Sequence, residues 1–222
     1  MYNASLSELT FPSLLKIGRV TPTHKSGPRD NVDNYRLISA LPVISKIFEK
    51  LTLLRIESFI ETHSLLSPCQ FGFRHGRSTT HAIIKFLSHV IAAFHRKLYC
   101  VCFFLDLRKA FDTVNHRILL KKLNHYGFRG HCGEYFNSYF HSRKQYVYLN
   151  GHSSDYEHVK TGVPQGSILG PICFSLFIND LPLAVDADTV LFADDAAFII
   201  CSPTLNDLFS KIMNLLKLLS NI

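Results

Sequence analysis

Two long stretches of the chain show the hydrophobic spacing of amphipathic helices. In residues 43–62 and again in residues 79–95, apolar side chains recur mostly at three- and four-residue steps. Shorter helices are predicted at about 113–126, where Gly127 ends the helix, around the aromatic residues 135–140, and at 172–178. A last helix is predicted at about 204–220, since Ser202-Pro203 supplies N-cap and first-turn chemistry for it.

Other stretches predict strands and shaped loops. Residues 145–149 are rich in strand-forming side chains, and the Asn150-Gly151 pair that follows is a strong hairpin signal, with a partner strand predicted near 156–160. The glycines and prolines of residues 161–171 predict a loop that leads into the next helix. Residues 1–35 contain several prolines and are predicted to be loop-rich.

Three carboxylates stand out because each adjoins an apolar run. Residues 189–201 consist of two such runs joined by Asp194 and Asp195, which predicts two buried strands with a tight acidic turn. Taken alone, an ordinary surface hairpin turn would explain this pair. Asp106 changes the interpretation, because it closes another apolar run, residues 101–105. Three carboxylates delivered by strands suit Mg²⁺, and two such ions about 4 Å apart are used for phosphoryl transfer.

Composition restricts the class of protein. The 222 residues can bury a sizeable core, in one domain or two closely joined lobes, and 47% of them are hydrophobic. The net charge of +7 favours a polyanionic partner, although a solvated basic surface is a common alternative. The six scattered cysteines are interpreted as reduced core residues of an intracellular protein, with no secretory signal. Since no apolar run reaches about 18 residues, no membrane span is expected.

Basic residues cluster in two segments that could contact phosphate. Lys16, Arg19, Lys25 and Arg29 lie in the loop-rich N-terminal segment, where an ordinary solvated loop is an equally good interpretation. Residues 70–79 combine two arginines with two glycines and two aromatic residues, which predicts a turn able to approach a phosphate closely.

Five motifs occur in order along nearly the whole chain. They are Asn34-Tyr35-Arg36 with residues 41–49, residues 70–79, residues 104–112 (FLDLRKAFD), residues 162–167 (GVPQGS) and residues 192–195 (FADD). In these motifs and their order, the chain resembles the reverse transcriptase domain of non-LTR (LINE-type) retrotransposons. The chain departs from the family pattern at Leu37, where proline is usual, and at Phe192, where tyrosine is common.

The resemblance implies an α+β fold of the right-hand polymerase type, forming one reverse transcriptase domain. Residues 1–98 would form the fingers and residues 99–222 the palm, an antiparallel sheet with packed helices, one side of it covered by the last helix. On this resemblance, a thumb would be expected after residue 222 and an endonuclease before residue 1, and both are expected to be missing from these 222 residues.

The resemblance also implies roles for individual residues. Mg²⁺, for which Mn²⁺ could substitute, would be bound as two ions by Asp106, Asp194, Asp195 and the backbone carbonyl of Leu107. Phe111 would lie against the ribose 2′ position, although a core role at the start of its helix is the alternative. The other implied contacts are Gln165 and Gly166 with the incoming nucleotide, Arg36 and Arg74 with its triphosphate, and Lys16, Lys25 and Arg29 with nucleic acid.

The function implied is that of an RNA-directed DNA polymerase. A primer 3′-hydroxyl would attack the α-phosphate of a dNTP, one ion activating the hydroxyl and the other stabilising the leaving pyrophosphate. The expected partners are an RNA template, a DNA primer and dNTPs, in the nucleus and cytoplasm. The alternatives are a catalytically inactive or domesticated nucleic-acid-binding copy and a two-metal nuclease.

Overall fold

Residues 1–107 and 109–219 are described by a computed structural model. Arg108 of the motif at 104–112 and residue 220 of the predicted last helix lie outside the described residues. The chain divides into two compact units. The first unit comprises Met1–Leu65 and Lys109–Phe177, and the second comprises Leu66–Arg108 and Ile178–Ile222. Each unit is built from two separate stretches of chain, and the predicted division into fingers and palm at residue 99 stays a prediction.

The helices and strands follow one another in a mixed α+β order. In chain order they are α1 (Tyr2–Ser7), β1 (Ile17–His24), β2 (Tyr35–Ala40), α2 (Val43–Thr62), α3 (Thr79–His95), β3 (Tyr99–Asp106), α4 (Ala110–Thr113), α5 (His116–His125), α6 (His131–Phe140), β4 (Lys144–Leu149), β5 (His152–Ser153), β6 (Glu157–His158), α7 (Gly170–Phe177), α8 (Leu181–Ala184), β7 (Asp188–Phe192), β8 (Asp195–Ser202) and α9 (Leu205–Leu219).

The first unit contains a sheet that the sequence predicted only in part. Strand β1 pairs antiparallel with β2 along residues 19–24 and parallel with β4 along residues 17–20. The prediction of a loop-rich segment at 1–35 was therefore wrong for β1, whose Pro22 argued against a strand. Pro22 is tolerated because it lies beyond the residues that pair with β4, where β1 has β2 as its neighbour.

The predicted hairpin forms at Asn150-Gly151, and the returning chain pairs with β4 in two short strands. Both residues have positive φ, +50° and +83°, as a two-residue hairpin turn requires, and Leu149 faces His152 across it. Next to the turn the partner is β5, and the predicted strand near 156–160 is present as β6, which pairs antiparallel with β4 at Lys144 and Gln145.

The helices of the first unit match the predicted spans with two differences. Helix α2 has the predicted bounds and buries Phe48 and Ile56, but its periodic residues Val43, Ile47 and Leu54 are exposed. Apolar side chains of α2 lie on most sides of the helix, so their spacing alone did not identify its buried face. The helix predicted at 113–126 is α5, which begins at His116 because the Asn115 side chain accepts from Ile118 N, and the separate short helix α4 precedes it.

The second unit is a three-stranded antiparallel sheet with β8 between β3 and β7. Helices α3 and α9 both pack on it, and its core includes Ala82 of α3 with Val190 and Ile199. On α3, the periodic residues Ile83, Leu87 and Phe94 are exposed. Helix α9 begins at Leu205, within one residue of the predicted start, although the cap is Thr204, whose hydroxyl accepts from Asp207 N, rather than Ser202.

No helix within residues 1–107 and 109–219 combines the length and the apolar character required to cross a membrane.

A buried carboxylate in the first unit holds the loop that leads to α7. Glu49 of α2 is fully buried, and its Oε2 accepts from the backbone N–H groups of Ile168 and Leu169. Its Oε1 accepts from the Tyr139 hydroxyl at 3.1 Å and from the Ser45 hydroxyl at 3.4 Å. The two backbone groups can only donate, so the atom that faces them must be an oxygen, and the two hydroxyl groups donate to the other oxygen.

We expect Glu49→Gln to lower the free energy of unfolding by about 2 kcal/mol, because its one oxygen must face the two backbone N–H groups without the carboxylate charge, and its NH₂ would leave the Tyr139 and Ser45 hydroxyl groups without their acceptor. The melting temperature should fall by roughly 4–8 °C. Urea and thermal unfolding would measure this, with Glu57→Gln on the same helix as the control, expected to change stability by less than about 0.5 kcal/mol. Equal effects of the two substitutions would show that the four donors do not depend on Glu49.

Candidate functional site

The predicted acidic turn forms at one end of the sheet in the second unit. Strands β7 and β8 are joined by Ala193 and Asp194, with Phe192 facing Asp195 across the turn. On the other side of β8, Asp106 at the end of β3 faces Asp195 directly. Residues opposed in this way have Cβ atoms about 4.5–5.5 Å apart and side chains on the same face. The structure therefore brings Asp106 and Asp195 side by side, and Asp194 directly precedes Asp195 in the chain.

The electrostatics of this end of the sheet show that the three acids interact. Burial raises the pKa of Asp195, and the negative charges of Asp194 and Asp106 raise it further. The surroundings are more open than the sequence suggested, because β3 is an edge strand and its Phe104 is 75% exposed. Asp106 and Asp195 are exposed and Asp194 is half-buried.

The donor set suits a hard cation, but the protein does not close a cage around one. Among residues 1–107 and 109–219, no group of three or more histidine, cysteine, aspartate or glutamate residues is arranged to hold a metal ion. Mg²⁺ is usually held by only one or two carboxylates, with water and substrate phosphates completing its shell. The opposed pair Asp106 and Asp195 fits that partial coordination. The half-buried Leu107 follows β3 directly, and its carbonyl as a ligand stays a prediction.

A short segment supports the acidic turn, and sequence reasoning missed its role. The Gln70 side chain is 1% exposed, and its Oε1 accepts from Ala193 N at 3.3 Å. The sequence signal for this role was a polar residue, Gln70, between Cys69 and Phe71. The motif at 70–79 predicted a phosphate-binding turn, however, and not a support for the acidic turn.

In the first unit, the loop at 161–166 lies close against other backbone segments. Gly166 has φ +123°, and a Cβ there would lie 2.5 Å from the carbonyl oxygen of Ser39. The Gln165 amide donates to Asp112 Oδ1 at 2.9 Å rather than bonding its own backbone. Burial raises the pKa of Asp112, and this hydrogen bond partly offsets the rise. A cavity of about 470 Å³ opens beside the loop, with Lys109, Lys144 and Lys160 among its lining residues.

Phe111 has both packing contacts and accessible surface. It is half-buried, and its ring stacks on Phe174 of α7 with centroids 4.7 Å apart. Its carbonyl accepts from Val163 N at 2.7 Å. The alternative of a core role is therefore correct for one face of the ring, while contact with a ribose stays a prediction.

The predicted phosphate-binding residues differ in their exposure. Arg36, Lys25 and Arg29 are exposed in the first unit. Arg74, in the second unit, is half-buried, and its Nη1 donates to the Ser67 carbonyl at 3.3 Å.

Lys16 does not suit the predicted contact with nucleic acid, because it is only 7% exposed. Its ammonium donates to Ser138 Oγ and to the His141 carbonyl. Burial, followed by the charge of Arg143, lowers the pKa of Lys16. A basic residue in a proline-containing segment had suggested a surface loop, whereas Lys16 lies directly before β1.

Comparisons with known proteins agree on one family. Residues 23–221 match the family profile described as "Reverse transcriptase (RNA-dependent DNA polymerase)". The probable RNA-directed DNA polymerase from transposon BS of Drosophila melanogaster is 34% identical over 216 residues, which are 93% of this chain and 24% of that protein. The RNA-directed DNA polymerase from mobile element jockey of the same organism is 34% identical over 207 residues, 89% of this chain and 22% of that protein.

The fold agrees as well. The structure of apo telomerase from Candida tropicalis, truncated from the C-terminal domain, superposes with a TM-score of 0.64 at 13% sequence identity, covering 92% of this chain and 47% of that one. The chain thus spans about a quarter of the length of the curated relatives and about half of the solved structure. On its sequence profile, its relatives and its fold, the chain belongs to the reverse transcriptase family and is related to the enzymes of non-LTR retrotransposons.

Proposed function

We propose that this chain is the catalytic core of an RNA-directed DNA polymerase that adds dNTPs to a DNA primer on an RNA template. The observation that carries the proposal is the opposition of Asp106 and Asp195 at the end of the β3–β8 pair, with Asp194 in the adjoining turn. Family membership adds the reaction class. The proposal includes a right-hand polymerase fold in which residues 1–98 form the fingers and residues 99–222 form the palm.

The three acids are proposed to bind Mg²⁺, which would polarise phosphoryl oxygens and lower the pKa of the attacking hydroxyl. What the chain itself contributes is a fixed set of negative charges. Because Asp106 and Asp194 raise the pKa of Asp195, binding a cation there would relieve a repulsion that the apo protein bears. The strand pairing also fixes the spacing of two of the carboxylates before any substrate arrives.

Other residues are proposed to position the substrates. Arg36 and Arg74 would contact the triphosphate, and Phe111, Gln165 and Gly166 the nucleotide. The hydrogen bond from Gln165 to Asp112 holds that side chain in one place, which favours a positioning role. The exposed Lys25 and Arg29 would contact the phosphate backbone, while Lys16 is left out because it is buried.

We expect Asp106→Asn and Asp195→Asn to reduce primer extension by roughly 10³-fold, about 4 kcal/mol in the barrier, because each removes a charge that would bind the metal. Extension of a DNA primer on an RNA template with dNTPs and Mg²⁺ would measure this. Asp188→Asn is the matched control, since Asp188 lies at the other end of the same sheet, where its carboxylate contacts His89.

The same assay separates the proposal from its alternatives. Binding of primer–template without extension by the wild type would indicate a nucleic-acid-binding copy, and shortening of the strands without dNTP incorporation would indicate a nuclease. Extension by Asp195→Asn at the wild-type rate would contradict the assignment of the acids.

Neutralising Asp195 should also stabilise the apo protein at neutral pH. The pKa of Asp195 is raised in the folded state, so the wild type loses stability as pH rises from the ordinary pKa of an aspartate to this higher value. Asp195→Asn removes that loss, and its melting temperature should therefore exceed the wild-type value more at pH 7 than at pH 4.

Asp207→Asn should show the opposite sign. The Ser202 hydroxyl and Lys211 lower the pKa of Asp207, so its charge contributes stability above the ordinary aspartate pKa, and neutralising it should lower the melting temperature at pH 7. Thermal melts of both variants in metal-free buffer would measure the two effects. A lower melting temperature for Asp195→Asn at pH 7 would contradict the repulsion among the acids.

If the Phe111 ring excludes a ribose 2′-hydroxyl, Phe111→Val should raise the use of rNTP relative to dNTP on the order of 10-fold. Steady-state kinetics of single additions with each nucleotide would measure the ratio. Phe174→Val removes the same ring stacking from the other side and should leave the ratio unchanged. Equal ratios in the two variants would show that Phe111 acts through packing alone.

A further inference from the structure

The acidic turn of the second unit has a backbone conformation that needs support. Ala193, the first of the two residues between β7 and β8, has φ +57°. The left-handed region costs a residue with a Cβ about 1–2 kcal/mol, and such conformations persist where the surroundings hold them in place. Ala193 is only 7% exposed, so neighbouring protein atoms, rather than water, must supply that support.

The support comes first from the backbone of residues 69–71. Leu191 N donates to the Cys69 carbonyl and Phe71 N donates to the Leu191 carbonyl, both at 2.8 Å. These two bonds make a parallel bridge between Gln70 and Leu191 and give β7 a short second partner in addition to β8. They hold the strand that leads into the turn, but they stop two residues before Ala193.

The Gln70 side chain extends this contact to the turn itself. Its Oε1 accepts from Gly72 N at 2.8 Å and from Ala193 N at 3.3 Å. Since both partners are N–H donors, the amide orientation is determined and the oxygen must face them. The Nε2 group then lies buried with no hydrogen-bond partner within residues 1–107 and 109–219, an arrangement that costs about 1–3 kcal/mol.

The chemistry of this acceptor matters because of its neighbours. A carboxylate would satisfy the same two N–H groups without the unpaired NH₂, but it would add a fourth negative charge near Asp194 and Asp195. Glutamine supplies the oxygen without the charge.

Gly72 permits the close approach. A Cβ at Gly72 would lie 2.2 Å from Ala193 N and 2.9 Å from its Cα, which no side chain could tolerate without moving the turn. Its φ is not in the left-handed region, so the need for glycine here comes from the contact with Ala193 alone.

We infer that Gln70 and Gly72 are positioning residues that hold Ala193-Asp194 so that Asp195 stays opposite Asp106 as a metal-binding pair. The inference rests on the proposed function in that the acids bind a divalent cation, but it can be tested on metal binding alone. The side chain of Gln70 is given no contact with substrate or metal.

The test compares variants of the full chain by their affinity for Mn²⁺ alone, measured from the free-ion signal in electron paramagnetic resonance, and by their melting temperatures. Gln70→Met has a similar volume and no acceptor, and we expect it to weaken Mn²⁺ binding about 10–100-fold, as substitutions behind metal ligands do. Gly72→Ala should cause a similar loss, because the added Cβ displaces the turn.

Asn179→Ala is the matched control. Asn179 is 8% exposed, and its Oδ1 accepts from Ser67 N at 2.7 Å, so it holds the segment that leads to Gln70 at a point other than Ala193. We expect Asn179→Ala to lower the melting temperature as much as Gln70→Met while keeping Mn²⁺ affinity within about twofold. Equal loss of affinity in the two variants would overturn the inference, because it would follow from lost stability.

A rescue variant keeps the test decisive if Gln70→Met folds poorly. Glycine adopts φ +57° without the penalty that alanine bears, so Ala193→Gly in the Gln70→Met background should recover most of the lost affinity. Unrecovered affinity in a folded double variant would contradict a role through Ala193.

The Mg²⁺ dependence of primer extension separates this inference from the proposed function. If the wild type extends primers and Gln70→Met binds Mn²⁺ as tightly as the wild type does, this inference alone is overturned. If Gln70→Met loses Mn²⁺ affinity but the wild type never extends primers, the proposed function alone is overturned.

Discussion

Like charges face each other at the end of an antiparallel strand pair, and the second unit is built to bear that repulsion. Directly opposed carboxylates destabilise a sheet, and here Asp106 faces Asp195 at the last pair of the β3–β8 ladder. The pairing continues for seven further residue pairs, to Tyr99 facing Ser202. Burial of Leu191, Phe198 and Ile200 within this sheet supplies the compensating free energy. The acids can therefore be held at a fixed separation because the rest of the sheet does not depend on them.

Each unit fixes a functional loop with a buried side-chain oxygen, and the charge of that side chain matches its surroundings. In the first unit, Glu49 accepts from two backbone N–H groups of the loop before α7 and from two hydroxyl groups. Four donors stabilise a full negative charge there. In the second unit, Gln70 accepts from two N–H groups beside three carboxylates, where a further charge would be repelled. The same geometrical task is thus performed by an ionised group in one setting and a neutral one in the other.

The sequence predicted the elements whose signal is local. The bounds of α2 and α3 follow from hydrophobic spacing, and the hairpin at Asn150-Gly151 follows from turn chemistry. The motif order was sufficient to identify the family, which the comparisons confirm. The acidic turn between two strands was also predicted correctly, although not the openness of β3, which depends on its being an edge strand.

What the sequence did not predict depends on contacts between distant residues. Strand β1 is stable because β2 and β4 pair with it, and no local pattern in a segment containing Pro22 reveals those partners. The buried Lys16 donates hydrogen bonds to Ser138 and His141, which lie 122 and 125 positions away in the chain. Glu49 and Gln70 also act on loops more than 115 residues away, at separations of 119 and 123. The support of the candidate site is therefore tertiary throughout, while its acids can be read from local sequence.

The motifs themselves divide into residues required by packing and residues required by charge. A Cβ at Gly72, Gly162 or Gly166 would lie 2.2, 2.7 or 2.5 Å from a backbone atom, so an inactive copy would need these glycines as much as an active one. The three acids differ, because burial and the charges of Asp194 and Asp106 raise the pKa of Asp195, so that its ionisation opposes folding at neutral pH. A copy maintained only for its fold or for binding nucleic acid would gain stability by neutralising Asp195. The presence of all three therefore favours a protein in which they bind a cation, and weighs against the inactive alternative more strongly than any motif glycine does.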